Sequence, residues 1–407
     1  MYRLYDGGRW GSRGPDMHHS CEREDEDPDP DGFGGMGEIE MLRAEVTVIG
    51  AGPAGMSAAC EAAKAGAHTI LIDEYVRPGG QMTKQIHKFF GSKEHRAGVR
   101  GIDIARELFH EVESLGIQQM MATTVWGFFA SNKLGIAHDA KSELLRTEKV
   151  ILATGASENA LAFPGWTLPG VMGAGAAQTL INLHRVLPGQ RVLMVGAGNV
   201  GCIIAYQLMQ AGAEVVAVVE AQPTIGAYSV HSAKIAREGV RILTSHTVKA
   251  AQGVDHVNGV TLVKVDKKWR PIEGTEQDLE VDTICVAVGL SPLSELGWLA
   301  KCKFTWVSAL GGYVPLYTRL LETTVKGVYV AGDCAGIEEA STAMEEGRIA
   351  GISAAEALGY VTQQKACAQR TQAYRRLQEF RAGPFGQMRV QGKETIWREM
   401  ERYEERL

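Results

Sequence analysis

The sequence predicts an α/β fold: two Rossmann-like three-layer (ββα) domains, the second inserted into the first. Three observations predict it. An apolar strand, a glycine-rich turn, a small-residue helix and a second apolar strand ending in an acid follow one another from residue 44, and the whole unit recurs from residue 191. Each copy is followed by an apolar strand that stops at a small-residue turn, first at Thr154-Gly155 and then at Gly289. A last strand ends at Asp333, after the second copy is complete, as expected of a chain that returns to its first sheet.

With 407 residues and a hydrophobic fraction of 45%, the chain can fill two cores of ordinary size. Its net charge of -6 is mild and argues against a dedicated nucleic-acid binder. No uninterrupted apolar run is long enough for membrane insertion. The seven Cys are scattered and none forms C-x-x-C, a pattern of reduced thiols in a cytoplasmic protein without a zinc or iron–sulfur site of its own. Residues 1–43 carry an acidic run and Gly-Pro and Gly-Gly steps, and cannot bury enough apolar surface to fold alone. They are expected to be a disordered acidic extension or a start called too early, with Met36 or Met41 the natural beginning; a functional acidic tail is the other reading.

In the first unit the strand Ala44–Ile49 enters Gly50-Ala51-Gly52-Pro53-Ala54-Gly55. Gly50 permits the sharp turn. Gly52 lets a diphosphate reach the backbone, and Gly55 lets the helix lie close to the sheet. The next strand ends in Asp73-Glu74, where a carboxylate can accept the hydroxyls of an adenosine ribose. A lone G-x-G-x-x-G would be weak; here strand, glycines, helix, strand and acid fall in order. The second unit has Gly196, Gly198, Asn199, Val200 and Gly201 in the same places, and Glu220 at its strand end. Such a fingerprint can persist in a domain that no longer binds. If it binds, Glu220 favours NAD over NADP, because a carboxylate repels a 2′-phosphate and no arginine follows it.

These landmarks give boundaries of 44–160 and 291–361 for a first dinucleotide-binding domain, 161–290 for an inserted NAD-type domain, and 362–407 for a helical tail. Residues 241–282 alternate apolar and polar around Asn258-Gly259, which predicts an antiparallel meander. In the tail, Trp397 and Tyr403 are candidate anchors for a partner, or pack on their own domain.

Assembled, these residues resemble the two-dinucleotide-binding-domain flavoproteins of the pyridine nucleotide-disulfide oxidoreductase superfamily, over residues 44 to about 360. The resemblance implies FAD on the first unit, held by the first fingerprint, Asp73, Glu74, Gln81, Thr154, Gly155 and Asp333. It also implies that a helix starting at Ser341-Thr342-Ala343 aims its N-terminus at the flavin, where reduced flavin gains negative charge. Gly289 would join the second-site residues that hold NAD or another nucleotide. The disulfide branches carry a redox C-x-x-C beside the flavin; this chain has none, and Cys334 reads as a small buried residue.

A narrower resemblance rests on Arg77-Pro78-Gly79-Gly80-Gln81, on Phe163-Pro164-Gly165-Trp166-Thr167-Leu168-Pro169-Gly170-Val171 and on Glu346-Gly347-Arg348-Ile349-Ala350-Gly351. These are similar to alpha subunits of sarcosine oxidase, opine oxidase, hydrogen cyanide synthase and dye-linked proline dehydrogenase. What that implies is an oligomer in which an FAD-containing beta subunit oxidises an amine or amino acid, with a small iron–sulfur protein as a further partner. No general base is identifiable. The competing readings are a self-sufficient NADH-dependent reductase of a small acceptor, and a scaffold whose second domain holds ADP or ATP. The basic, aromatic stretch 84–96 follows the Gly79-Gly80-Gln81 loop and is expected near the flavin, as a gate, a partner contact or a solvated segment.

Overall fold

The first strand, Leu42–Ile49, is buried through Val46 and Val48 because it lies between two parallel neighbours. Thr69–Ile72 pairs on one side, from Val46↔Thr69 to Ile49↔Ile72, and Lys141–Leu152 on the other, up to Ile49↔Leu152. The computed structural model describes residues 41–383 and 386–406. The expected acidic extension therefore lies, except for its last three residues, outside the described residues.

Helix α1 (Pro53–Ala65) makes the first crossover; Pro at its start needs no donor there, and Gly66, at φ 108°, closes its end. Helix α2 (Gly101–Ser114) follows and leads to Gln118–Met120, which extends the parallel sheet beside Thr69–Ile72. Strands Thr124–Phe129 and Lys133–His138 form an antiparallel meander that joins the first half of Lys141–Leu152. The last residues of that long strand pair instead with Val328–Val330, in parallel, from Val150 to Leu152. One strand thus carries the sheet and the meander.

Between Leu152 and Val328 a second sheet forms, with all five strands parallel: Arg241–Thr244, Glu214–Glu220, Arg191–Val195, Thr283–Val286 and Val171–Gly173, in that order. Helix α3 (Ala174–Thr179), helix α4 (Asn199–Gln210) and helix α5 (Ser229–Arg237) belong to this segment. An antiparallel sheet of His246–Gly253, Val257–Lys264 and Gln277–Leu279 accompanies it. Separate apolar clusters fill the two faces of the parallel sheet. The meander expected over 241–282 starts later than its sequence pattern suggested, since Arg241–Thr244 is a parallel strand. From His246 on the antiparallel meander is present; Asn258 and Gly259 lie inside its strand Val257–Lys264, and the chain reverses after Gly253. The chain leaves and re-enters through two adjacent strands, Ala156–Glu158 and Leu290–Pro292, paired antiparallel.

Helix α6 (Glu295–Leu299) precedes the return to the first sheet, and helix α7 (Ala340–Ala357) follows it. α7 packs on α1 at backbone distance. A Cβ on Gly347 or Gly351 would sit 2.1 or 2.3 Å from the carbonyl oxygens of Ala54 and Ala58. Helix α8 (Gln363–Arg381) and helix α9 (Gln387–Glu404) fold back, and their Ala373, Leu377, Ile396 and Met400 join the core of the first sheet. Trp397 and Tyr403 pack against that same core, and the Arg319 guanidinium lies over the Trp397 ring.

Candidate nucleotide-binding site

A single cavity of about 1250 Å³ is lined by both glycine turns. In each turn the three glycines do different things. A Cβ on Gly50, at φ +106°, would lie 2.2 Å from the Ala153 carbonyl oxygen, and one on Gly55 would lie 1.7 Å from that of Gly50. These two are required by the turn and by helix–strand contact. A Cβ on Gly52 would meet nothing nearer than Gly80 Cα at 4.0 Å, so its missing side chain is open cavity. The second turn repeats this: Gly196 and Gly201 would clash with carbonyl oxygens at 2.2 and 2.0 Å, while Gly198 has nothing within 4 Å.

Gly52 and Gly198 are also the N-caps of α1 and α4, and neither helix has a side-chain cap. Their first-turn N–H groups therefore face the cavity with only a glycine in front of them. A diphosphate fits such a site, since it needs donors, a helix N-terminus and room. The acids are held alike. Asp73 accepts the Ala51 N–H at 2.5 Å and the Tyr75 N–H at 2.7 Å; Glu220 accepts the Ala197 and Gln222 N–H groups, each at 2.9 Å. Each carboxylate is thus fixed across the mouth of its turn.

Of the residues expected to hold FAD, Gly50, Gly52, Pro53, Ala54, Asp73, Glu74, Gln81, Thr154, Gly155, Asp333, Ser341 and Ala343 line the cavity. Gly55 lies behind it in the helix–strand contact. Thr342 also faces away: its hydroxyl donates to the Glu339 carbonyl at 2.7 Å and accepts the Glu339 N–H at 3.1 Å, closing the capping box of α7. Of the second-site residues, Gly198, Asn199, Val200 and Gly289 line the cavity; Gly196, Gly201 and Glu220 do not. Asp333 is pushed up to about 6, chiefly by burial.

The stretch 84–96 contributes Lys84, Gln85, His87, Phe89 and Phe90 to the wall. Lys84 crosses between the sheets: its ammonium donates to the Gly175 carbonyl at 3.0 Å and to Thr179 Oγ1 at 3.2 Å. Burial lowers its pKa, opposed by Glu158, whose carboxylate accepts the Gly175 N–H at 2.7 Å. His87 meets His231 edge-on with 6.3 Å between ring centroids, and Phe90 approaches His231 at 5.2 Å. Burial holds both imidazoles down at about 4, so they are neutral at pH 7. Sequence reasoning missed Glu158, Tyr228, His231, Glu339 and Arg389. Tyr228 donates to Glu339 at 2.7 Å and Arg389 approaches the same oxygen at 3.4 Å. None belongs to a motif, and they are far apart in the chain. Among the described residues no cysteine lies on the cavity wall, and Cys334 is buried behind it.

A family model described as pyridine nucleotide-disulphide oxidoreductase matches residues 44–347. The chain belongs to the pyridine nucleotide-disulphide oxidoreductase family. It is accordingly an FAD-dependent oxidoreductase with a Rossmann-type nucleotide-binding fold, and the family implies FAD and a pyridine-nucleotide site in general. An opine oxidase subunit of Agrobacterium tumefaciens (strain Ach5) is 30% identical over 79% of this chain and 67% of its own length. The alpha subunit of sarcosine oxidase from Rhizobium meliloti (strain 1021) is 28% identical over 76% of this chain, which spans only 30% of that protein. The crystal structure of L-proline dehydrogenase from P. horikoshii has the same fold, with a TM-score of 0.62 at 22% identity over 84% of this chain and 61% of that one. Among the described residues no helix is long and apolar enough to cross a membrane.

Proposed function

We propose that this oxidoreductase is the nucleotide-binding, electron-transferring subunit of a heteromeric amine or amino-acid dehydrogenase of the sarcosine, proline or opine type. Residues 44–160 and 291–361 bind FAD, residues 161–290 bind NAD or another nucleotide, and residues 362–407 form a helical tail. The observation that carries the reading is the single cysteine-free cavity joining two uncapped helix N-termini, each fronted by an open glycine. It suits two nucleotides held in one cavity, leaves no place for a thiol relay, and is consistent with electrons reaching the flavin from a partner subunit.

When bound, flavin supplies the two-electron redox chemistry. The chain supplies the rest. The α1 N-terminus holds a diphosphate, Asp73 and Glu74 stand where a ribose would lie, and Asp333 with Ser341 and Ala343 forms the wall at the start of α7. His87, Phe89, Phe90 and His231 line the cavity at the seam between the two sheets. The relatives are themselves subunits, which supports a partner for this chain. The proposed partner is an FAD-containing beta subunit or a small iron–sulfur protein, in a cytoplasmic assembly. A second reading is a self-sufficient NADH-dependent reductase. The hold on Glu220, which matches that on Asp73, favours it, because it leaves a carboxylate at the second turn as NAD recognition requires.

Anaerobic reductive titration tests the reading. Uptake of two electrons per FAD, unchanged by prior thiol alkylation, is expected. Uptake of four electrons per FAD, cut to two by alkylation, would overturn it.

A further inference from the structure

The family match ends at residue 347, yet the tail beyond it reaches the cavity. Arg389 of α9 lies on the cavity wall. Behind that wall the tail inserts two cations into a pair of buried acids. Arg381 Nε donates to Glu338 at 2.8 Å, and its Nη2 donates to Glu338 at 2.5 Å and to Glu346 at 2.9 Å. Lys393 Nζ lies 2.7 Å from Glu346 and 3.4 Å from Glu338, and donates to the Ala335 carbonyl at 3.1 Å. Lys393 is 1% exposed.

Both acids lead straight to the expected flavin wall. Glu346 accepts the Gly332 N–H at 3.1 Å, next to Asp333. The Glu338 N–H donates to Asp333 Oδ1 at 3.3 Å. The Ala335 carbonyl ends the tight turn Gly332–Ala335 that contains Asp333, and Tyr317 donates to it as well at 2.8 Å. Burial opposes the Lys393 ammonium, but Glu346, Tyr317 and Glu338 together raise its pKa, so it stays charged. Burial likewise works against the Glu338 carboxylate, and Lys393 and Arg381 hold it below the usual range. The four charges sum to zero. Without the tail, two uncompensated carboxylates would stand beside Asp333, where a dinucleotide diphosphate and an anionic reduced flavin must be accepted.

We infer that the C-terminal tail completes the flavin site, with Lys393 and Arg381 as positioning residues that hold the Gly332–Glu346 segment in place and cancel its charge. This rests on FAD occupying the first nucleotide turn. The tail is then an integral part of the cofactor domain, set beyond the common family fold.

The test uses the full chain as Lys393→Met and as Glu346→Gln/Lys393→Met, reconstituted with FAD. FAD affinity and the two-electron flavin potential are measured for each. Lys393→Met is expected to weaken FAD at least tenfold and to lower the potential, because the anionic reduced form suffers more. Each tenfold preferential weakening of reduced flavin corresponds to about 30 mV. The double variant removes the carboxylate's charge yet keeps an acceptor for the Gly332 N–H, and is expected to return FAD affinity to within threefold of the parent. If Lys393→Met fails to fold, the double variant decides: folding with near-parental FAD affinity supports charge cancellation. A Lys393→Met chain with unchanged affinity and potential would overturn the inference. So would a double variant as impaired as the single one, or one that does not fold. A parent chain that holds no FAD would instead overturn the FAD reading itself.

Discussion

Replacing Gly52 with Ala separates binding from folding at the first turn. Gly52 has φ -77° and ψ -172°, which any L-residue adopts, and the added Cβ finds no atom closer than 4.0 Å. The apo fold should change by less than about 1 kcal/mol. The methyl would stand in front of the uncapped N–H groups of α1, where the diphosphate has to lie. Holding the phosphate off by the width of a methyl removes about two charge-assisted hydrogen bonds of about 1.5–3 kcal/mol each. A net loss of about 3 kcal/mol is about a hundredfold in Kd. Gly55→Ala is the contrast, because its Cβ would fall 1.7 Å from the Gly50 oxygen and must break the helix–strand contact. The assay pairs FAD binding by fluorescence quenching with urea unfolding of the apo chains. Gly52→Ala binding FAD as tightly as the parent, or unfolding as readily as Gly55→Ala, would refute the reasoning.

Gly198→Ala, with nothing within 4 Å of the new Cβ, should abolish nucleotide binding at the second turn and leave FAD binding intact, as read by calorimetry on FAD-loaded protein. Asp333 titrates near 6 when folded against 3.8 unfolded, so its contribution to stability is full below pH 4 and is lost as pH rises through 6. Apo Asp333→Asn should therefore exceed the parent by up to about 3 kcal/mol at pH 7.5 and match it at pH 4 in urea melts, while binding FAD more weakly. His87 and His231 have folded values lowered to about 4 from 6.5, so the stability they contribute is present above pH 6.5 and is lost as pH falls toward 4. Both rings line the open cavity, which discounts the loss to about 1–2 kcal/mol per ring, and a His87→Phe/His231→Phe chain should show a correspondingly flatter acid limb.

What was legible in the sequence was local. Each glycine turn is bounded by a strand and a helix within a few residues, so spacing alone separates the turn glycines Gly50 and Gly196 from the open ones, Gly52 and Gly198. The return strand Val328–Val330, just before Asp333, was legible because it repeats the apolar pattern of its neighbour Lys141–Leu152. The meander around Asn258-Gly259 was legible, but its strand limits were not, because glycine in a strand can mark close packing as well as a turn. A Cβ on Gly259 would lie 2.6 Å from the Gln252 side chain and 3.3 Å from the Leu279 carbonyl oxygen, while Gly253, at φ +144°, ends the preceding strand. The buried cations were not legible at all. Arg381 and Lys393 sit in two tail helices rich in charged residues, with nothing in the spacing to single them out, and their acids lie on α7 and its approach. Ion pairing over that separation carries no periodicity, so only the folded chain reveals it.

The most direct test of the proposed role is anaerobic mixing of the FAD-loaded chain, alone, with NADH and then NADPH while the flavin absorbance band is followed. The account predicts that neither nucleotide bleaches the flavin rapidly, because electrons enter from a partner subunit. Rapid bleaching by NADH would contradict it and establish a self-sufficient NADH-dependent reductase.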